Sequence, residues 1–268
     1  MAMTGRLRAG LRLVGAEFRL SALRALEYRV GFWSDGVVGV LWGAIGVVPL
    51  LVAIEHRPEV AGFGAWQLMV LSGIFMIVSG IFSAFLQPAL LASMEHIRRG
   101  TLDYLLLRPA SPLLLCLVAD FRPWSLLEVI AGVGLCTLSL IKLGIVPGAA
   151  DLGLALTVFV AGLLALYALG VLALSLSFRA LRLQNLTYLF ETLLDFARWP
   201  TSAFSGPLKA LFTFVVPFAV MTTRPAEGLL GRLDLATVAV SVATSLVLVG
   251  LAWLAWRRSL RLYTSASS

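Results

Sequence analysis

Long apolar runs separated by short basic segments set the pattern of the chain. The runs 36–54, 60–94, 152–178 and 235–256 carry no charged residue. Each is long enough to cross a bilayer, which takes roughly 20 apolar residues. Two further runs are interrupted. Asp120, Arg122 and Glu128 break 113–143, and Glu191, Asp195 and Arg198 fall within 183–200. A shorter run, 210–223, contains Pro217 and suits a re-entrant or interfacial segment better than a span. Before the first span, Leu7, Leu11, Val14, Phe18, Ala22 and Ala25 repeat every three or four residues. That spacing predicts one narrow apolar stripe on a helix over 5–29, lying in the membrane interface with its arginines at the headgroups.

Charge orders these elements. Arg6, Arg8, Arg12, Arg19, Arg24 and Arg29 precede the first span, and Arg257, Arg258 and Arg261 follow the last. Basic flanks collect on the cytoplasmic side, so both termini are expected inside and the number of spans even. Six spans also place Arg98, Arg99, Arg108, Arg122, Arg179 and Arg182 inside. Only Arg57, Lys142, Arg198, Lys209, Arg224 and Arg232 then remain elsewhere. Four spans are the alternative if neither interrupted run is inserted. The expected fold is an all-α polytopic membrane protein.

Composition agrees. Of 268 residues, 60% are hydrophobic and 13% charged. Soluble domains carry about 45–50% apolar and about 25% charged residues. The same figures exclude disorder. The net charge of +7 sits in separate clusters between apolar runs, so no nucleic-acid face is expected.

Small residues mark packing faces. Gly36, Gly39, Gly43 and Gly46 share one side of the first span, and Ser72, Ser79 and Ser83 one side of the second. Polar residues mark candidate function. Gln184, Thr187, Glu191, Asp195 and Arg198 fall on one face of a continuous helix. An ionised side chain facing lipid costs about 2.5–3.5 kcal/mol or more. Three readings follow: a polar lining of a translocation path, an ion-pair network anchoring the helix, or a helix that ends early. Asp120 and Glu128 lie near the basic mouth of the third span, where hydration would suffice.

Catalytic chemistry is not apparent. There is no G-x-x-x-x-G-K-[ST], so the chain is not expected to hydrolyse ATP alone. His56 and His96 fall in loops on opposite sides and form no H-E-x-x-H. Cys116 and Cys136 lack metal-ligand spacing. No catalytic residue, metal site or cofactor of this chain's own is expected.

One loop, 94–109, stands out for mixed charge, a short helical pattern and a terminal Pro109. Thr101 is placed to cap a helix whose apolar residues are Leu102, Leu105 and Leu106, suited to a groove on a soluble partner. An ordinary solvated loop fits the pattern equally. The run Gly100-Thr101-Leu102-Asp103-Tyr104-Leu105-Leu106-Leu107-Arg108-Pro109 resembles the coupling region of ABC type-2 exporter permeases. The similarity is closest to the small bacterial permeases grouped with viologen exporters. Thr213 to Phe218, Arg224-Pro225-Ala226 and the tail from Arg261 to Ser268 resemble the same group, as does the arginine-rich start before Glu27-Tyr28-Arg29.

The resemblance implies six spans, an interfacial N-terminal helix, a coupling helix in 94–109 and a re-entrant helical hairpin at 205–230. It implies two permeases, identical or different paralogues, bound to two copies of a separate ABC ATPase that holds the ATP and Mg. Arg98, Arg99, Gly100, Thr101, Leu102 and Asp103 would contact that ATPase. The expected function is export of an amphipathic, cationic drug-like substrate across a bacterial plasma membrane by alternating access. An ion-coupled carrier using Glu191 or Asp195, and a non-transporting assembly or scaffold subunit, are the competing classes.

Overall fold

A computed structural model describes residues 2–27, 29–56, 59–108, 111–177, 186–212 and 216–262. The chain opens with α1 (Ala2–Glu27) and α2 (Arg29–His56), the latter holding Pro49 and the apolar stretch Gly36–Val52. A two-stranded hairpin, β1 (Glu59–Val60) and β2 (Phe63–Gly64), leads into α3 (Ala65–Ile81). Five residues of π-helix, Phe82–Leu86, join α3 to α4 (Gln87–Arg98). Together they make a 34-residue rod. At 1.5 Å per residue it spans about 50 Å, well beyond a hydrocarbon core of about 30 Å.

The π-segment has a local cause and a remedy. Pro88 has no N–H, so the carbonyl of Ala84 loses its helical donor. The Arg122 backbone N–H fills the gap at 3.0 Å. Arg122 lies between α6 (Pro112–Ala119) and α7 (Leu126–Leu143), at a corner turned by Pro123–Ser125. The interrupted run 113–143 is therefore two helices, and only Pro123–Leu143 is long and apolar enough to cross.

Helices α3 and α7 form the tightest crossing. A Cβ on Gly132 would lie 2.6 Å from the Gly73 carbonyl oxygen, and one on Gly80 would lie 2.9 Å from that of Ser125. Only hydrogen fits at these positions, which is how apolar helices approach closely in lipid. The first-span glycines divide. Gly36 faces Leu127 and Gly43 faces Met76, whereas Gly39 meets nothing within 4 Å.

The other long helices are α8 (Ala149–Ser177) and α12 (Leu235–Leu262), which pack along each other. Among the described residues, four helices are long and apolar enough to span: Ala65–Arg98, Pro123–Leu143, Ala149–Leu176 and Leu235–Arg261. The fifth expected span differs. Its described helix, α9 (Leu186–Phe196), has 11 residues, about 16 Å. Tight i→i−3 turns at Ala197, Arg198 and Trp199, then Pro200, end it.

After α9 the chain reaches the β-hairpin end, where the Ser202 hydroxyl donates to the Ala61 carbonyl at 2.8 Å. α10 (Gly206–Ala210) follows, then a π-turn at Ala219–Thr223 and α11 (Arg224–Leu229). This stretch packs into the middle of α8. A Cβ on Gly162 would sit 2.7 Å from the Val220 carbonyl oxygen. It returns to the same end, where Arg232 donates to the Gly62 carbonyl at 3.4 Å.

Candidate functional site

Two groups of polar residues stand out, one beyond the rod's far end and one within the apolar bundle. The first begins where α4 stops. Gly100 adopts a positive φ of 68°. Its N–H donates to the Ile97 carbonyl at 3.3 Å, and that of Thr101 to His96 at 2.9 Å. This is a Schellman closure, and glycine takes the left-handed position without strain. α5 (Leu102–Leu106) then folds back.

Leu102 and Leu105 are buried, at 1% and 8% exposure, while Tyr104 and Leu107 are exposed at 73% and 84%. The apolar side of α5 thus faces inward rather than offering itself to a partner, because Leu102 and Leu105 join the main core. Leu106 stays outside. Thr101 does not cap α5 through its side chain. Its hydroxyl pairs instead with the His96 Nδ1 at 2.8 Å. His96 is accordingly a helical residue, not a loop one.

Arg98 and Arg99 both bind Glu95, Arg98 through two bonds of 2.9 Å. These two arginines remain mostly exposed, and Asp103 is half-buried. The segment is fastened to α1 by an Arg108–Glu17 ion pair of 2.8 Å. Nearby, Phe121 packs between Phe18 of α1 and Phe85 of the π-segment, with ring centroids at 4.9 and 4.7 Å.

The second group lies around α9. Gln184 lies outside the described residues, and Thr187 falls in the first turn of α9. Glu191 accepts a hydrogen bond from the Gln87 amide, whose oxygen accepts one from Arg122 at 3.2 Å. An amide therefore bridges a carboxylate and a guanidinium. Asp195 and Arg198 pair at 3.0 Å, with side-chain exposures of 62% and 23%.

Arg198 also lies over the Phe75 ring, 4.6 Å from its centroid. Phe75 is about 15 Å along α3 from Ala65. Opposite, Gly46 leaves the space that the guanidinium fills, since a Cβ there would overlap it. Glu128 completes the group. It is only 8% exposed and lies near Ser79 and the Arg198 charge. Hydration at a basic mouth does not describe it; α7 carries it into the bundle because the helix starts at Leu126.

Of the residues expected on one helical face, Glu191 and Asp195 stay one turn apart on α9, whereas Arg198 lies beyond its end. The helix stops at Phe196, so Arg198 turns back toward α2, α3 and α7. Glu191 and Asp195 hold separate partners. Gln87, Phe75 and Gly46 belong to the group without having been expected there. Gln87 was legible as a polar residue in an otherwise apolar run beside a proline. Phe75 and Gly46 were not, since nothing in their spacing names an arginine more than 100 residues away.

Beside α9 lies an apolar cavity of about 200 Å³ whose wall includes Phe190, Leu194, Phe218 and Met221. Among the described residues no three His, Cys, Asp or Glu side chains gather as a metal site. The arrangement holds charge inside a membrane and presents an apolar slot next to it.

The family model described as ABC-2 family transporter protein matches residues 40–267. Comparisons with curated proteins and with solved structures give no match. The match covers the four long helices, the 98–108 segment and the polar group around Arg198, so the chain belongs to the ABC-2 transporter family as a multi-pass membrane permease component.

Proposed function

We propose that the chain is the permease of an ATP-driven exporter in a bacterial plasma membrane, powered by a separate ABC ATPase. The family match over residues 40–267 carries this reading. Two ATPase copies bind a pair of permeases, identical or paralogous, and both termini lie in the cytoplasm. The basic flanks around α1 and the end of α12 support that orientation. Six spans are reached by counting α2 and the α9 region with the four long helices. The 205–230 stretch acts as a re-entrant hairpin, supported by its start and return beside Ala61 and Gly62.

The coupling surface is the exposed rim of the 98–108 segment. Arg98, Arg99 and Asp103 meet the ATPase, while Gly100, Thr101 and Leu102 shape the turn that presents them. Burial of Leu102 and Leu105 ties this rim to the bundle, so a push on it moves helices. Glu191 and Asp195 on α9, with Arg198 just beyond its end, border the path. Its carboxylates favour a cationic group, and the apolar cavity beside them accepts a hydrophobic body; the substrate is an amphipathic, drug-like cation. Multidrug efflux by permeases of the viologen-exporter type fits this chemistry.

The test is co-expression of the full chain with a candidate ABC ATPase and reconstitution in lipid. A stable complex with vanadate-sensitive ATP hydrolysis is expected. Transport that needs no ATPase and stops when the proton gradient collapses would establish an ion-coupled carrier instead. A complex without turnover or transport would establish a scaffold.

A further inference from the structure

Arg198 is surrounded as a bound cation would be. Phe75 offers a ring face at 4.6 Å. Asp195 accepts from Nη2 at 3.0 Å and from Nε at 3.2 Å. Buried Glu128 of α7 is a more distant second carboxylate, near Ser79, one turn along α3 from Phe75. The seat itself exists because residue 46 is glycine. A guanidinium is the most weakly hydrated of the protein cations and stacks on aromatic faces. The groups that hold it therefore suit a soft, delocalised cation better than a small inorganic one.

We propose that Phe75 and Asp195, over the space left by Gly46 and with Glu128 buried nearby, form a binding site for organic cations and that Arg198 is a tethered plug in it, displaced when a cation enters. The proposal rests on the permease reading for its purpose, and it deepens that reading by placing the cation. Two features support displacement. Arg198 follows the end of α9, in a stretch of short turns bounded by Pro200, so it can swing without unwinding a helix. Asp195 is largely exposed, so an incoming cation can reach it from outside the bundle. The resident arginine neutralises that carboxylate whenever no cation is bound.

The probe is tetraphenylphosphonium, a delocalised cation, bound to the purified full chain in lipid nanodiscs. Arg198→Gln removes the plug. Gly46→Ala places a methyl group where the guanidinium sits and so fills the seat itself. Arg198→Gln is expected to bind the probe about fivefold or more tightly, since one cation–π contact and one ion pair are worth roughly that factor, and Gly46→Ala is expected to weaken binding. Glu128→Gln is expected to weaken binding. Arg224→Gln serves as the control, because it removes an arginine of the same i,i+3 acid pairing elsewhere. Unchanged or weaker binding in Arg198→Gln, or tighter binding in Gly46→Ala, would overturn the proposal.

A measurement on the wild-type chain stands independently of any variant. Saturating probe is expected to raise phenylglyoxal modification of Arg198, read by mass spectrometry. Unchanged or lower modification would overturn displacement. Vanadate-sensitive turnover of the ATPase complex is scored separately. A working complex with flat probe binding removes the plug alone, and a chain that binds the probe but never recruits an ATPase removes the permease reading alone.

Discussion

At Gly132 and Gly73 two backbones touch with no side chain between them. A Cβ on Gly73 would lie 2.8 Å from the Gly132 carbonyl oxygen, and the neighbouring contact is backbone, which cannot yield. Overpacking of this kind costs about 1–3 kcal/mol, and more where backbone must move. Gly132→Leu is expected to lower the thermal unfolding midpoint in detergent by several degrees. Gly134→Leu points into open space and is expected to leave the midpoint where it was. Asp234 poses a different residue-scale question. It caps α12, accepting from the Thr237 N–H at 3.3 Å and from the Thr237 hydroxyl. The Thr237 hydroxyl, more than any other neighbour, holds the Asp234 carboxyl below its ordinary range. A carboxyl lowered in the folded state stabilises fully above its unfolded value and loses that contribution as pH falls through the folded one. The gap in unfolding midpoint between wild type and Asp234→Ala is therefore expected to be constant from pH 7 to about 5 and to close below about pH 4.

Among elements, the 98–108 segment separates shape from contact. Leu102 sits at 1% exposure and Leu107 at 84%. Truncating a fully buried leucine costs about 2–5 kcal/mol, so Leu102→Ala is expected to reduce the yield of folded chain. Leu107→Asp is expected to leave unfolding unchanged and to weaken recovery of the ATPase in co-purification. The long helices were legible because lipid demands unbroken apolar length, and α3, α8 and α12 follow their runs closely. The interior of 113–143 was half legible: Asp120 and Arg122 announced an interruption, but not that Arg122 would repair the ladder broken by Pro88. Arg198 leaves the face that Glu191 and Asp195 share on α9 for a plain reason, the early helix end that was one of the three readings. A helical wheel assumes that the helix continues, and here Pro200 and the preceding tight turns stop it. Burial of Leu102 and Leu105 escaped sequence reading because amphipathicity gives a stripe without saying whether the core or a partner covers it. The glycine contacts escaped it too, since a residue with no side chain carries no record of what lies opposite.

For the whole molecule, the expected arrangement puts the Arg98 end and α1 on one side of the membrane and the Ala61 end on the other. Val146, between α7 and α8, is 91% exposed at the far end from Leu107. Leu107→Cys and Val146→Cys are expected to react with an impermeant maleimide from opposite faces of sealed vesicles, Leu107→Cys from the cytoplasmic one. Native Cys116 and Cys136 are buried and contribute little background. The proline-broken rod has a consequence at this scale. A kinked helix is ordinarily a place where motion is absorbed. Here the carbonyl freed at Ala84 is held by the backbone of Arg122, and opening that joint would leave a buried carbonyl without its donor. Rod and α6–α7 corner must then travel as one piece, a crankshaft rather than a hinge. A push near Arg98 is then expected to move Phe75 on α3 and Glu128 on α7 together.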